Sequence, residues 1–338
     1  MSIDNGLLVL TGPDVQALLQ DRNHEVIQAV RSAYLAHHAG HSCLPHSVFV
    51  RFPGREKERI IALPAYLGGE SEVAGIKWIS SFPGNHELGI SRASAIMVLN
   101  SIETGRPEVV LEGSLISAAR TAASAALAAD VLHAPGDIDT LGVVGCGLIN
   151  REIVRFVASL GRKIGRILVY DIDRSRADKF AKELAPLAGQ MPVRAVSALH
   201  EVMAQASVIA FATTAVKPTV DDLSSCRPAT TILHISLRDL VADAVLASDN
   251  IVDDVDHALR AQTSLHLAEQ KVGHRDFVRA TLAEVIDGSK PPRRKANDIV
   301  VFSPFGLGVL DLAVAQLVIE QAAQRQLGTR VAGFFDGV

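Results

Sequence analysis

Leu141-Gly-Val-Val-Gly-Cys-Gly-Leu-Ile-Asn150 reads as a strand, a tight turn and the start of a helix. The apolar run 141–144 suits a buried strand. Glycines at 145 and 147 let the backbone turn sharply and approach a pyrophosphate, which the first free N–H groups of the following helix would face. About 24 residues beyond Gly147, Asp171 closes a second apolar run, Ile167-Leu-Val-Tyr-Asp171. The spacing is that of a dinucleotide fingerprint, with Asn150 where Gly or Ala is usual. Gly145, Cys146, Gly147, Leu148 and Ile149 are the candidate cradle. Asp171 suits ribose hydroxyls and repels a 2′-phosphate, which favours NAD; Arg174 and Arg176 keep NADP as the alternative.

The fingerprint begins near residue 140, so a sizeable region precedes it. At 338 residues, 48% of them hydrophobic, the chain is long enough for two domains and a large core. A net charge of −4 gives no case for nucleic acid or an anionic membrane. Cys43, Cys146 and Cys226 stand far apart with no CxxC pair, as expected in a reducing cytoplasm. MSIDNGLLVL has no signal-peptide pattern. The alanine-rich segment 118–132 reads as too short and too polar for a membrane span.

The run 7–10 reads as a strand, and Thr11 with Asp14 as a capping box for a helix reaching about residue 39. Strand-like runs at 47–52, 59–63, 73–82, 95–100 and 109–111 are separated by turns without helices, which predicts an antiparallel sheet. A helix over 114–133 leads onward. Strands at 141–145, 167–171, 193–196, 207–212, 230–235 and 250–253 then alternate with helical segments, the layout of a Rossmann-type doubly wound parallel sheet. The region 254–290 reads as helical, 291–295 as a solvated loop, 299–302 as a strand and 309–324 as a helix returning to the first domain. The fold class is thus α/β, a doubly wound sheet plus a discontinuous α+β domain.

Lys77 lies in an otherwise apolar strand and either points to solvent or is buried for chemistry. Arg120 sits in a helix made mostly of Ala, Ile and Leu. An unpaired buried guanidinium costs several kcal/mol, so a carboxylate should meet it, either structural (Glu112, for example) or from a substrate. Thr213 and Thr214 follow a strand at its C-terminal end and are candidates for the nicotinamide side. His234-Ile-Ser-Leu-Arg-Asp239 is polar where a ligand-binding loop is expected, and Ser236 and Gly306 join the candidate cofactor set. Asp253, Asp254, Asp256 and His257 read as a strand end and helix cap rather than a metal site.

Taken together, Pro64-Ala-Tyr66, Lys77 within GIKWISSFPGN, Glu103-Thr-Gly-Arg-Pro107, Ser117-Ala-Ala-Arg-Thr-Ala-Ala123 and the GVVGCG loop resemble the ornithine cyclodeaminase/μ-crystallin family over nearly the whole chain. The resemblance implies that Lys77 and Arg120 bind or activate an amino-acid substrate beside a nicotinamide. It also implies that residues 1–120 and 306–338 form a substrate-binding domain that dimerises through its sheet, with 121–305 holding NAD. Cyclodeaminases carry a Gly-x-Asp-x-Pro-Gly-Lys stretch where this chain has 234–239, and His46 replaces an arginine that Arg51 would stand in for. These departures, with Thr263-Ser-Leu-His-Leu-Ala-Glu-Gln270 and Phe302-Ser-Pro-Phe-Gly-Leu-Gly308, resemble the family's 2,3-diaminopropionate branch of siderophore and peptide-antibiotic pathways.

That branch implies NAD-dependent oxidative hydrolysis of N-(2-amino-2-carboxyethyl)-L-glutamate to 2-oxoglutarate and L-2,3-diaminopropionate. On this reading Arg120 takes a substrate carboxylate and Lys77 holds a second one or assists proton transfer. Asp239 or His234 activates water, and Arg51 and Arg238 supply extra anion contacts. The alternatives are a redox-neutral ornithine cyclodeaminase, a ketimine or pyrroline-carboxylate reductase, and a non-catalytic nucleotide-binding protein. No metal site is expected.

Overall fold

Hydrophobic alternation builds one sheet and continuous apolar runs build another. In the computed structural model, which describes residues 6–69, 72–188 and 191–336, the chain forms two units. One comprises Met1–Arg120 with Leu307–Val338, the other Thr121–Gly306. The first five residues of the MSIDNGLLVL reading lie outside the described residues.

In chain order the first elements are β1 (Leu7–Leu10), α1 (Gly12–Leu19), α2 (Asn23–His38), β2 (Ser42–Cys43), β3 (Val48–Phe52), β4 (Arg55–Leu67), β5 (Val73–Ser81), β6 (Ala93–Asn100), β7 (Pro107–Glu112) and α3 (Ser114–Leu132). Next come β8 (Ile138–Val144), α4 (Leu148–Ala158), β9 (Ile164–Tyr170), α5 (Arg174–Ala188), β10 (Val193–Ala195), α6 (Leu199–Gln205), β11 (Val208–Phe211) and β12 (Thr231–His234). The rest are α7 (Ala242–Leu246), β13 (Asp249–Val252), α8 (Val255–Ala258), α9 (Ser264–Val272), β14 (Val278–Thr281), α10 (Leu282–Ile286), β15 (Val300–Phe302), α11 (Gly308–Arg325) and β16 (Thr329–Val331).

The first unit carries a sheet ordered β16-β1-β7-β6-β5-β4-β2, with β3 also on β4. Strands β3 to β7 pair antiparallel along the path, whereas β1 lies parallel to β7. Period-2 alternation gives this sheet two unlike faces. Met97, Leu99 and Leu111 are buried on one, and α1, α2 and α11 pack on this unit's strands. On the other face Val48, Ala62, Trp78 and Ile96 stand directly opposite one another across four strands. Trp78 is 40% exposed and Ile96 48%.

The second unit carries an all-parallel sheet ordered β10-β9-β8-β11-β12-β15-β13-β14. The strand order reverses at β8, so the β8–α4 turn sits at the switch point where doubly wound sheets bind ligands.

Several local expectations need correction. The segment 12–39 is two helices, because Asp21 takes a left-handed φ of 58°. Thr11 does cap α1, exchanging hydrogen bonds with Asp14. Region 254–290 contains strand β14, whose short Val-Arg-Ala-Thr run is hidden among polar neighbours. Helix α3 starts earlier than its apolar stretch, and by length and composition it could cross a membrane; 67% of that window is buried, as in a core helix. Arg293 is not a solvated loop residue. It donates to the carbonyls of Leu132, Thr230 and Asp298 and to the Thr231 hydroxyl, closing the C-terminal end of α3.

Candidate active site

In the first unit, strand alternation decides the direction of Lys77. Trp78 takes the open face, so Lys77 takes the buried one and is 2% exposed. Its Nζ donates to Asp311 Oδ2 at 2.7 Å and to Ser117 Oγ at 3.1 Å. Arg120 Nε donates to the other oxygen of Asp311 at 3.0 Å. Asp311 is fully buried in the first turn of α11, where the helix N-terminus favours a carboxylate. Two cations and one anion leave the cluster with one net positive charge.

Burial pushes the Lys77 amine down to about 8 from 10.5; Asp311 pulls it up and Arg120 pushes it down. Gly308 makes the geometry possible. Lys77 pairs with Leu63 on β4, and a Cβ at 308 would lie 3.2 Å from Ala65 Cβ and 3.4 Å from the Leu63 carbonyl oxygen. Glu112, the structural partner considered for Arg120, instead accepts the Ser114 and Leu115 amides and caps α3. Asp311 is the residue that the sequence reading misses. A lone Asp in the apolar run Val309-Leu-Asp-Leu-Ala-Val314 mirrors the lone Arg120 in its alanine-rich helix, and that complementarity was the available signal.

In the second unit, Gly145 takes a φ of 93°, and a Cβ there would fall 2.6 Å from the Ala212 carbonyl oxygen. A Cβ at Gly147 would meet nothing within 4 Å. Among the described residues no side chain caps the N-terminus of α4, and Leu148 is exposed and Ile149 half-buried. Asn150 explains its own departure from the fingerprint. It is fully buried, and its Nδ2 donates to the carbonyls of Val144 at 2.8 Å and Gly145 at 2.7 Å. The Cys146 amide donates to Asp171 Oδ2 at 2.8 Å, placing the acidic residue beside the glycine loop. Burial, then Asp171, push the Cys146 thiol up to about 12, so it stays protonated.

At the C-terminal ends of β11 and β12, Asp239 gathers three predicted residues. It accepts the Thr213 hydroxyl on Oδ1 at 2.5 Å and the Ser236 hydroxyl on Oδ2, and its own amide donates to His234 Nε2 at 3.2 Å. His234 Nδ1 lies 3.0 Å from Ser303 Oγ. Burial raises the Asp239 carboxyl, but the hydrogen bonds and charge of His234, with Ser236 and Thr213, outweigh it and hold it below the ordinary value. His234 is 0% and Asp239 1% exposed, and Asp239 holds the Thr213 and Ser236 hydroxyls on its two carboxylate oxygens, while Thr214 is exposed.

The remaining candidates make contacts of their own. Arg238 donates to the Ala261 carbonyl, and exposed Arg51 stacks over Phe49. Gly306 takes a φ of 93°, and its amide donates to buried Asp253. Asp254 caps α8, so the 253–257 cluster is a cap, and no metal-holding group occurs among the described residues.

The sequence model of the ornithine cyclodeaminase/mu-crystallin family matches residues 8–326. An alanine dehydrogenase of Archaeoglobus fulgidus is 30% identical, aligned over 97% of this chain and 98% of that protein. The N-((2S)-2-amino-2-carboxyethyl)-L-glutamate dehydrogenase of Staphylococcus aureus is 27% identical over 96% of this chain and 97% of that protein. Among solved structures, a Thermococcus litoralis Δ1-pyrroline-2-carboxylate reductase in complex with NADH and L-proline superposes with a TM-score of 0.89. It is 28% identical and covers 96% of this chain and 100% of its own. An archaeal alanine dehydrogenase dimer with bound NAD gives 0.85 at 28% identity, covering 96% and 99%.

Proposed function

This chain belongs to the ornithine cyclodeaminase/mu-crystallin family, and from that premise we propose an NAD-dependent oxidoreductase acting on a C–N bond of a small amino acid, with N-(2-amino-2-carboxyethyl)-L-glutamate as substrate. The observation that carries the reading is the buried Lys77–Asp311–Arg120 cluster, whose one surplus positive charge suits a substrate carboxylate. Arg120 spends its Nε on Asp311, so its terminal nitrogens serve a planar carboxylate. Lys77, with its amine near 8, holds a second carboxylate or exchanges a proton close to neutral pH.

The second unit fits the dinucleotide. Gly147 leaves room for a pyrophosphate, the first α4 amides carry no side-chain cap, and Asp171 stands beside the loop for the ribose. Bound NAD⁺ would supply a two-electron acceptor for the hydride on the glutamate α-carbon, with the proton of the bridging nitrogen lost alongside. Water added across the resulting C=N bond would give 2-oxoglutarate and L-2,3-diaminopropionate, a precursor for siderophores and peptide natural products. Thr213 and Ser236, fixed by Asp239, line the cofactor side, and Leu148, Ile149, Thr214 and Gly306 complete that set.

The preference for this substrate rests on the 234–239 loop and the similarity to the Staphylococcus aureus dehydrogenase. The apolar face of Val48, Trp78 and Ile96 supports a homodimer formed through the first unit's sheet. Three free thiols support a cytoplasmic location.

Purified protein given NAD⁺ and this substrate should raise NADH absorbance and release 2-oxoglutarate and 2,3-diaminopropionate in equal amounts. Silence here, together with NADH oxidation on Δ1-pyrroline-2-carboxylate, would establish the second reading, which the TM-score of 0.89 favours.

A further inference from the structure

Asp311 is absent from the roles above, yet both its oxygens are committed. Lys77 comes from β5, Arg120 from α3 and Asp311 from α11, and the two ion pairs link residues 234 and 191 positions apart. The exposures are 2% for the lysine side chain, 12% for the arginine and none for the aspartate. Two adjacent cations removed from water repel one another and lose hydration, and a carboxylate between them is the arrangement that offsets both effects. The first turn of α11 adds a helix N-terminus behind that carboxylate.

We propose that Asp311 is the positioning residue of the substrate site. It holds Lys77 Nζ and Arg120 Nε on its two oxygens, cancels one of their two charges and leaves a subsite with one surplus positive charge for an anionic substrate. This rests on the reading that Lys77 and Arg120 meet the substrate. Burial is the larger influence on the Lys77 amine and lowers it, Asp311 opposes that with its charge and hydrogen bond, Arg120 adds to the lowering, and Ser117 adds a neutral hydrogen bond.

The test is the Lys77 titration in the free protein, followed by ¹⁵N NMR of the lysine ammonium, in wild type, Asp311→Asn and Asp311→Glu. The wild-type midpoint is expected near about 8. Asp311→Asn should lower it by about one unit or more, since the stabilising charge is gone while burial and Arg120 remain. Asp311→Glu keeps the charge and should hold the midpoint within about half a unit, while the extra methylene lowers kcat/KM about tenfold.

An unchanged midpoint in Asp311→Asn overturns the proposal, because a packing role alone would not move it. If Asp311→Asn does not fold, Asp311→Glu decides: wild-type kcat/KM overturns the positioning role, and the tenfold loss at a preserved midpoint supports it. The titration needs no substrate, so it judges Asp311 even if the assigned reaction is wrong.

Discussion

The Asn150 side chain donates to the Gly145 carbonyl at 2.7 Å, so the residue that breaks the dinucleotide fingerprint is the one that closes its loop. Asn150→Ala leaves the Val144 and Gly145 carbonyls without that donor. The expected cost is about 1–3 kcal/mol of stability, with about tenfold weaker NADH binding from a loosened loop. Urea unfolding and NADH fluorescence titration check the two effects separately.

On the proposed reading, Asp171 governs the choice between the two dinucleotides. Replacing it with alanine removes the carboxylate that repels a 2′-phosphate, and Arg174 and Arg176 stay nearby. The NAD-over-NADP ratio of kcat/KM should fall by about tenfold or more. A ratio that does not change would show that specificity lies elsewhere.

Arg120→Ala should lower kcat/KM about 100-fold, mainly through KM, as expected when a bidentate carboxylate contact is lost. Arg120→Lys should recover little, because an ammonium lacks the planar fork. Steady-state kinetics on both variants, with thermal melts to confirm folding, make the comparison.

The Lys77 amine sets two pH dependences of known sign. If its ammonium form holds a carboxylate, kcat/KM falls as pH rises through about 8. Stability moves the other way. The folded-state value lies below the ordinary 10.5, so between about 8 and 10.5 the unfolded chain binds more protons and stability rises with pH. Lys77→Met should abolish that rise, as seen by unfolding below pH 8 and again near 10.5.

Arg293→Ala removes a side chain that bonds three backbone carbonyls and one hydroxyl. A loss of about 2–4 kcal/mol is expected, since several buried acceptors lose their donor together. Deletion of a solvated loop residue would cost about 0.5 kcal/mol or less, so one denaturation curve separates the two pictures.

The parallel sheet was legible because its signals are local: apolar runs, the glycine turn and an acidic residue at a fixed spacing. The direction of Lys77 was not, because alternation names two faces without saying which one is covered. Asp311 escaped for a related reason. Its partners lie on β5 and α3, so the lone carboxylate in an apolar run gains meaning only when matched with the lone Arg120 far away in sequence. Arg293 was misread because the sequence shows a basic tripeptide, whereas the fold brings three distant acceptors and the nearby Asp298 carbonyl to one guanidinium. Strand β14 is only four residues long, and the pairing with β13 that defines it is not visible in those residues alone.

Gly308 takes no part in any reaction step, yet it limits how the site can change. A side chain at 308 would press on β4, which carries Lys77 in register through Leu63, and would lift the start of α11 with Asp311. The spacing of the charges is therefore written in a position that has no functional group. Substrate preference can drift through the residues that ring the cluster, whereas a replacement at 308 must first push Ala65 or the Leu63 carbonyl aside by a few tenths of an ångström. A screen for altered specificity should therefore accept more replacements around Lys77 than at Gly308.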